Sequence, residues 1–234
     1  MSKELVIKIK WGALGDHLCY SPIPRVAKET FGYDKVYISN FSDYINPNTK
    51  RLVWELNPFV DGFVDVDKPH PTFSEVPDGW NILDAVVQFC GLPDDGIRFR
   101  EPEIYYKPKI LPKYSNAVIF EPNHGNQRGI PLRQNVDAYF KTLPVPITHQ
   151  MIELRGTRNY DKSMKIVGMP HFKAHDLEHF CDIIFSCKAF YCFTSGVLSL
   201  AAALGKPAVV MYRDQSDGIL PMFHHSKLHT YVKL

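Results

Sequence analysis

The stretch that most limits the fold runs from Ala189 to Met211. Ala189-Phe-Tyr-Cys-Phe193 is an unbroken apolar and β-favouring run, as expected of a strand buried on both faces. Thr194-Ser-Gly196 interrupts it with residues that cap helices. A helix then reads from Val197 to Leu204, Gly205 stops it, and Pro207-Ala-Val-Val-Met211 begins a second strand. A strand, a helix and a strand joined by such short turns form a right-handed crossover, which lays the second strand parallel to the first. A chain that contains this unit needs a parallel sheet with helices packed over its faces.

The same alternation extends through the rest of the 234 residues. Leu5, Ile7 and Ile9 mark an opening strand, followed by a helix over Leu18 to Phe31 that stops at Gly32. Lys35 to Ser39 is a second strand, Lys50 to Leu56 a short helix, and Phe63, Val64 and Val66 carry a third strand after the Asn57-Pro58 turn. A polar loop, Lys68 to Gly79, leads to a helix over Asn81 to Cys90 closed by Gly91, and Glu103 to Tyr106 reads as an edge strand. Lys107 to Tyr114, with two prolines and three lysines, suits a linker. It divides the chain into residues 1–108 and 115–234. The second part has strands at Ala117 to Phe120, within 147–154, at Lys165 to Gly168 and at Thr230 to Val232. Its helices cover Gln134 to Thr142 and Asp176 to Cys187. The expected class is α/β with mostly parallel sheets in two βα-rich halves.

Chemistry concentrates first in the loop after the opening strand. Gly12 and Gly15 stand three apart, which suits unusual backbone angles or a ligand lying close to the main chain. Asp16 follows where a helix should begin. There a carboxylate can cap free N–H groups, or act as a general base at the carboxyl end of a strand, where open α/β sheets place ligands. His17 beside it is a candidate for the pocket wall or for packing. A second polar loop, Glu121 to Gly129, contains Asn123, His124, Asn126 and Arg128. The third is Thr194-Ser195-Gly196, whose N–H groups and hydroxyls can cap the helix or hold an anion.

A net charge of +2 makes no case for a nucleic-acid or anionic-membrane partner. The five cysteines lack paired or zinc-type spacing and read as reduced thiols. His171, His175, His179 and the His224-His225 pair lack the acids or thiols that would complete a metal set, so they are read as solvated or locally bonded. The tyrosines and phenylalanines at 105, 106, 190, 191 and 193 read as strand core. No leader-like or membrane-spanning apolar stretch is evident, and the expected location is cytoplasmic, or peripheral at the inner face of a membrane.

Taken in order, several motifs resemble the heptosyltransferase-like enzymes of glycosyltransferase family nine. Ile9-Lys-Trp-Gly-Ala-Leu-Gly-Asp-His-Leu-Cys-Tyr-Ser-Pro22 is similar to that family's opening Gly-Asp motif. Asn57-Pro-Phe-Val-Asp-Gly-Phe-Val-Asp-Val66 resembles its Asn-Pro strand entry, and Asn81 to Leu92 its helix closing on Gly-Leu. The run from Cys181 to Met211 resembles its donor-site unit.

The resemblance implies a GT-B fold: two Rossmann-like domains facing across a cleft, with the acceptor on the first and the nucleotide sugar on the second. Asp16 would be the catalytic base, and Thr194, Ser195 and Gly196 the diphosphate loop. Asn126, Gln127 and Arg128 would lie near the donor, with Arg128 neutralising the leaving group. The implied activity is inverting transfer of a sugar, without a metal or other cofactor, from a nucleotide diphosphate to a hydroxyl acceptor. That acceptor is a glycan or lipopolysaccharide-type group, or a hydroxymethylated DNA base approached by Lys107, Lys109 and Lys113. Thr194 and Ser199 stand where the family has Asp and His, and the chain is shorter than expected for the family. These differences raise the alternative of a degenerate module that binds a nucleotide or a protein partner.

Overall fold

The computed structural model describes residues 2–69, 76–77, 80–123, 130–154, 164–213 and 225–234, without the side chains of 152–154. The chain forms two compact units. One comprises Met1–Tyr106 with Pro221–Ser226, the other Lys107–Leu220 with Lys227–Leu234.

In the first unit, β1 (Glu4–Ile7), β2 (Lys35–Ser39) and β3 (Gly62–Val64) form a parallel sheet in that order. Leu5, Ile7, Val36 and Ile38 supply its buried face. The expected helix over 18–31 is two helices, α1 (Leu14–Tyr20) and α2 (Ile23–Glu29). Pro22 has no N–H to continue α1 and Pro24 sits in the first turn of α2, where proline is tolerated. At the break, the Ser21 hydroxyl donates to the Leu18 carbonyl (2.7 Å) and accepts the Glu103 N–H (2.8 Å). That second bond also explains why 103–106 is not a strand. The segment is fixed by side chains, with Arg25 donating to both Glu103 carboxylate oxygens at 2.6–3.2 Å.

Residues Lys50–Glu55 form a π-helical turn that buries Leu52, Val53 and Trp54. Helix α3 (Ile82–Phe89) begins at a reciprocal cap. The Asp84 N–H donates to Asn81 Oδ1 (3.0 Å), and the Asn81 N–H donates to Asp84 Oδ2 (3.1 Å). The same carboxylate takes the N–H groups of Phe99 and Arg100, at 2.9 and 3.0 Å, tying the return loop to the helix start. Gly91, at φ +76°, ends the helix as expected. Late in the chain, the buried Ser226 hydroxyl donates to Glu101 Oε1 (2.7 Å) within this unit.

The second unit is a six-stranded sheet, ordered β6 (His171–Ala174), β5 (His149–Leu154), β4 (Val118–Glu121), β7 (Ala189–Phe193), β8 (Val209–Tyr212) and β9 (Thr230–Lys233). All its ladders are parallel. Helices α4 (Arg133–Thr142), α5 (Leu177–Ser186) and α6 (Gly196–Ala203) complete the alternation. The strand expected at 165–168 lies six residues later, as β6. Ile166 is tied instead to the Gln150 side chain, which accepts its N–H (2.8 Å) and donates to its carbonyl (2.6 Å), and Gly168 turns the chain at φ +77°. His175 and His179 stack on one another at 4.6 Å and bond locally. The five thiols are unpaired.

The core of this unit centres on Phe120. Its ring meets Phe140 and Phe193 edge-on at 5.0 and 5.3 Å, and Val136 and Met211 join the same cluster. Phe120→Ala is expected to cost about 3–5 kcal/mol, read from the midpoint of urea unfolding.

Candidate active site

The loop between β1 and α1 is built by close main-chain approach. Gly12 lies against the strap at residues 42–45. A Cβ on Gly12 would fall 2.7 Å from the Asp43 carbonyl carbon and 2.8 Å from the Tyr44 nitrogen, both backbone atoms that cannot yield. Hydrogen bonds stitch the strap down: Ile9 N–H to Ser42 Oγ (3.1 Å), Asp43 N–H to the Ile9 carbonyl (2.9 Å) and Ile45 N–H to the Gly12 carbonyl (2.8 Å). Neither Gly12 nor Gly15 has a positive φ. Glycine is required at 12 for space, while Gly15 lies within the first turn of α1.

His17 lies beneath this loop with 0% exposure, and both its ring nitrogens are engaged. Trp54 Nε1–H donates to Nδ1 at 2.9 Å, so the ring proton is on Nε2, which donates to the Asp43 carbonyl at 2.8 Å. Tyr44 stacks on the ring at 4.6 Å. Burial pushes the His17 pKa from 6.5 to about 4, opposed by the bond to Asp43. Of the two roles open to His17, pocket wall or packing, its burial and its bonds make it an internal strut, joining the loop, the strap and the 50–55 turn.

Asp16 occupies the third position of α1. Ala13, in extended conformation, is the N-cap residue and has no side chain able to cap. The Asp16 carboxylate supplies half of the cap, accepting the Ala13 N–H at 3.1 Å. It is partly buried, and desolvation raises its pKa from 3.8 to about 6, with the Ala13 bond pulling the other way. A carboxylate tuned in this way is ionised at neutral pH yet a stronger base than an ordinary aspartate, as proton abstraction from a hydroxyl requires.

Beside the loop, at the carboxyl ends of the three strands, an open cleft of about 620 Å³ is lined by Lys8, Lys10, Trp11, Phe41, Asp43, Asp67, Lys68 and Pro69. Lys8 pairs with Asp67. Trp11 and Phe41 are 41% and 51% exposed. Asp16 lies five residues beyond Trp11 and is not itself part of the lining. The aromatic faces and the ammonium groups can hold a ring that carries an anionic group.

In the second unit, Ser195 is the N-cap of α6, and its hydroxyl accepts the Val197 N–H at 3.4 Å. The Gly196 N–H and the Thr194 hydroxyl have no partner among the described residues, so the helix start can accept an anion. Ser199 is buried inside α6. Asn123 is described, whereas His124, Asn126 and Arg128, with Gln127, lie outside the described residues. Glu121, not singled out from the sequence, ends β4 at 1% exposure. The clue was available: it is an acid closing the apolar run Ala117-Val-Ile-Phe120.

Two units with parallel sheets match the GT-B-like fold of solved glycosyltransferases. Within that class, the chain is similar in fold to a solved family 9 glycosyltransferase and to solved heptosyltransferases. A family 9 glycosyltransferase from Veillonella parvula superposes with a TM-score of 0.61 at 13% identity, covering 99% of this chain and 85% of the other. The ADP-heptose lipopolysaccharide heptosyltransferase II of Escherichia coli gives 0.57 at 14%, covering 99% and 90%. The iron-containing dodecameric glycosyltransferase TibC of enterotoxigenic E. coli gives 0.63 at 15%, covering 98% of this chain, which spans 63% of the TibC chain. No protein-family model and no curated protein sequence matches the chain.

Two outcomes test this geometry. Trp54→Phe strands His17 Nδ1 in the core and is expected to cost about 1–3 kcal/mol in urea unfolding. Asp16 and His17 also impose opposite pH dependences. Folded Asp16 binds its proton near pH 6, above its ordinary 3.8, so it penalises folding at neutral pH and the penalty fades as pH falls through 6. His17 stays neutral to about pH 4, so its contribution is complete above 6.5 and is lost as pH falls toward 4. Asp16→Asn is therefore expected to be more stable than wild type at pH 8, by about 1–3 kcal/mol, and to lose stability more steeply in acid.

Proposed function

We propose that the protein is a glycosyltransferase that moves a sugar from a nucleoside diphosphate to a hydroxyl acceptor, with inversion and without a metal. The observation that carries this reading is Asp16, a carboxylate of raised pKa held in the first turn of α1, directly after the β1–α1 loop, in a chain similar in fold to a family 9 glycosyltransferase. In this reading the acceptor sits along the loop, and the cleft with Trp11, Phe41 and the lysines orients it. Ionised Asp16 takes the proton from the acceptor hydroxyl as its oxygen bonds to the anomeric carbon, and the bond to the diphosphate oxygen breaks on the opposite face. Thr194, Ser195 and the first N–H groups of α6 hold the diphosphate and stabilise the charge that grows on it. TibC has been solved with ADP-D-β-D-heptose and the E. coli heptosyltransferase WaaC with ADP, so ADP-sugars are the first donors to test. The acceptor is a glycan of lipopolysaccharide type in this reading. The hydroxymethylated DNA base is the second acceptor to test, because Lys8, Lys10 and Lys68 line the cleft.

Asp16→Asn is expected to lower sugar transfer at least 1,000-fold, on the order seen when a base is removed, while nucleotide affinity measured by calorimetry stays within about 3-fold of wild type. Full transfer activity in the variant removes Asp16 from the chemistry. Nucleotide-sugar binding by wild type without transfer to any acceptor supports a degenerate binding module instead.

A further inference from the structure

Glu121 is a buried acid that the loop chemistry above does not use. It closes β4, a central strand of the second sheet, and pairs in register with Cys192 on β7. β7 ends one residue later at Phe193, and Thr194 to Gly196 follow at the start of α6. With strands about 4.8 Å apart and about 3.3 Å of rise per residue, Glu121 lies roughly 8 Å from Thr194, the first residue of that turn, at the same end of the sheet. One carboxylate oxygen, Oε1, accepts the Asn123 N–H at 2.9 Å. The other, Oε2, is buried and has no hydrogen-bond partner among the described residues, and Asn123 Oδ1 is in the same state. An unmet carboxyl oxygen in a core costs free energy unless a ligand completes it.

We infer that Glu121 is a ligand-binding residue of the second unit, a neutral carboxylic acid whose Oε2–H donates to a phosphate or ribose oxygen of a nucleoside diphosphate held at the start of α6. The inference rests on the donor-site reading above and extends it to a residue that reading does not include. Charge favours the neutral form. Burial raises the Glu121 pKa from 4.5 to about 8, with the bonds from Asn123 opposing, and the Cys192 thiol behind it is itself pushed up by burial, so it brings no thiolate to the site at neutral pH. An ionised carboxylate would repel the diphosphate, whereas a carboxylic acid can donate to it. Asn123 Oδ1, an acceptor beside that donor, suits a ribose hydroxyl.

The test combines ADP binding with infrared spectroscopy on the full chain. Glu121→Gln keeps the shape and a donor, and is expected to bind ADP within about 3-fold of wild type. Glu121→Leu keeps the volume and removes the donor, and is expected to weaken ADP binding by about 10-fold or more. Its thermal unfolding should match or exceed wild type, because an unpaired polar group has left the core. Wild type should show a protonated-carboxyl C=O band that is missing in Glu121→Gln and shifts when ADP is added. Unchanged ADP affinity in a folded Glu121→Leu, or a band that ignores ADP, overturns the inference while leaving the donor-site reading intact. If wild type binds neither ADP nor the diphosphates of uridine and guanosine, the donor-site reading fails and this inference falls with it.

Discussion

The first unit depends on one close contact, the main chain of Gly12 against the main chain of Asp43 and Tyr44. It leaves no room for a side chain and brings the strap near enough for three backbone-directed hydrogen bonds. His17 then spans the gap below, with one nitrogen on Asp43 and the other on Trp54. The turn carrying Trp54, the strap and the start of α1 are thus tied to one another by hydrogen bonds. The carboxylate of Asp16 stands one residue from a histidine that cannot rotate without breaking a buried bond at each ring nitrogen.

This arrangement separates two roles that the sequence places side by side. Asp16 pays for being partly dry with a raised pKa, which costs stability at neutral pH and suits a proton acceptor. His17 gives up its protonation to become a rigid polar strut. Opposite environments one residue apart are possible because neighbouring positions on a helix point about 100° away from one another, one toward the loop and one into the core.

Much of the architecture was legible in the sequence because it is written in periodicity and helix stops. The βαβ run from Ala189 to Tyr212, the Asn81 cap and the glycines at 91 and 205 agree with the residues that mark them. Two of the misreadings share a cause, which is side chains replacing main-chain partners. Glu103 to Tyr106 looks like a strand but its N–H and carboxylate go to Ser21 and Arg25, and Lys165 to Gly168 looks like one but Gln150 takes both polar groups of Ile166. Of the candidate site, the placement of Asp16 in the first turn of α1 and of Ser195 at the N-cap of α6 was readable from local motifs. The reason for Gly12, the burial of His17 and the unmet oxygen of Glu121 were not, since each depends on a residue distant in sequence or on the depth of a strand end.

Ser226 has a consequence for how the molecule can be taken apart. Its hydroxyl serves Glu101 in the first unit, whereas Thr230 to Lys233, a few residues on, pair with β8 in the second. Neither unit is a contiguous piece of chain. A cut between Tyr106 and Lys107 would free a fragment without Ser226 and its bond to Glu101, so the two units are not interchangeable modules for domain swaps or fusions. A chimera that exchanges the second unit for that of another protein would keep this bond only if it supplied a serine or an equivalent donor at the matching place.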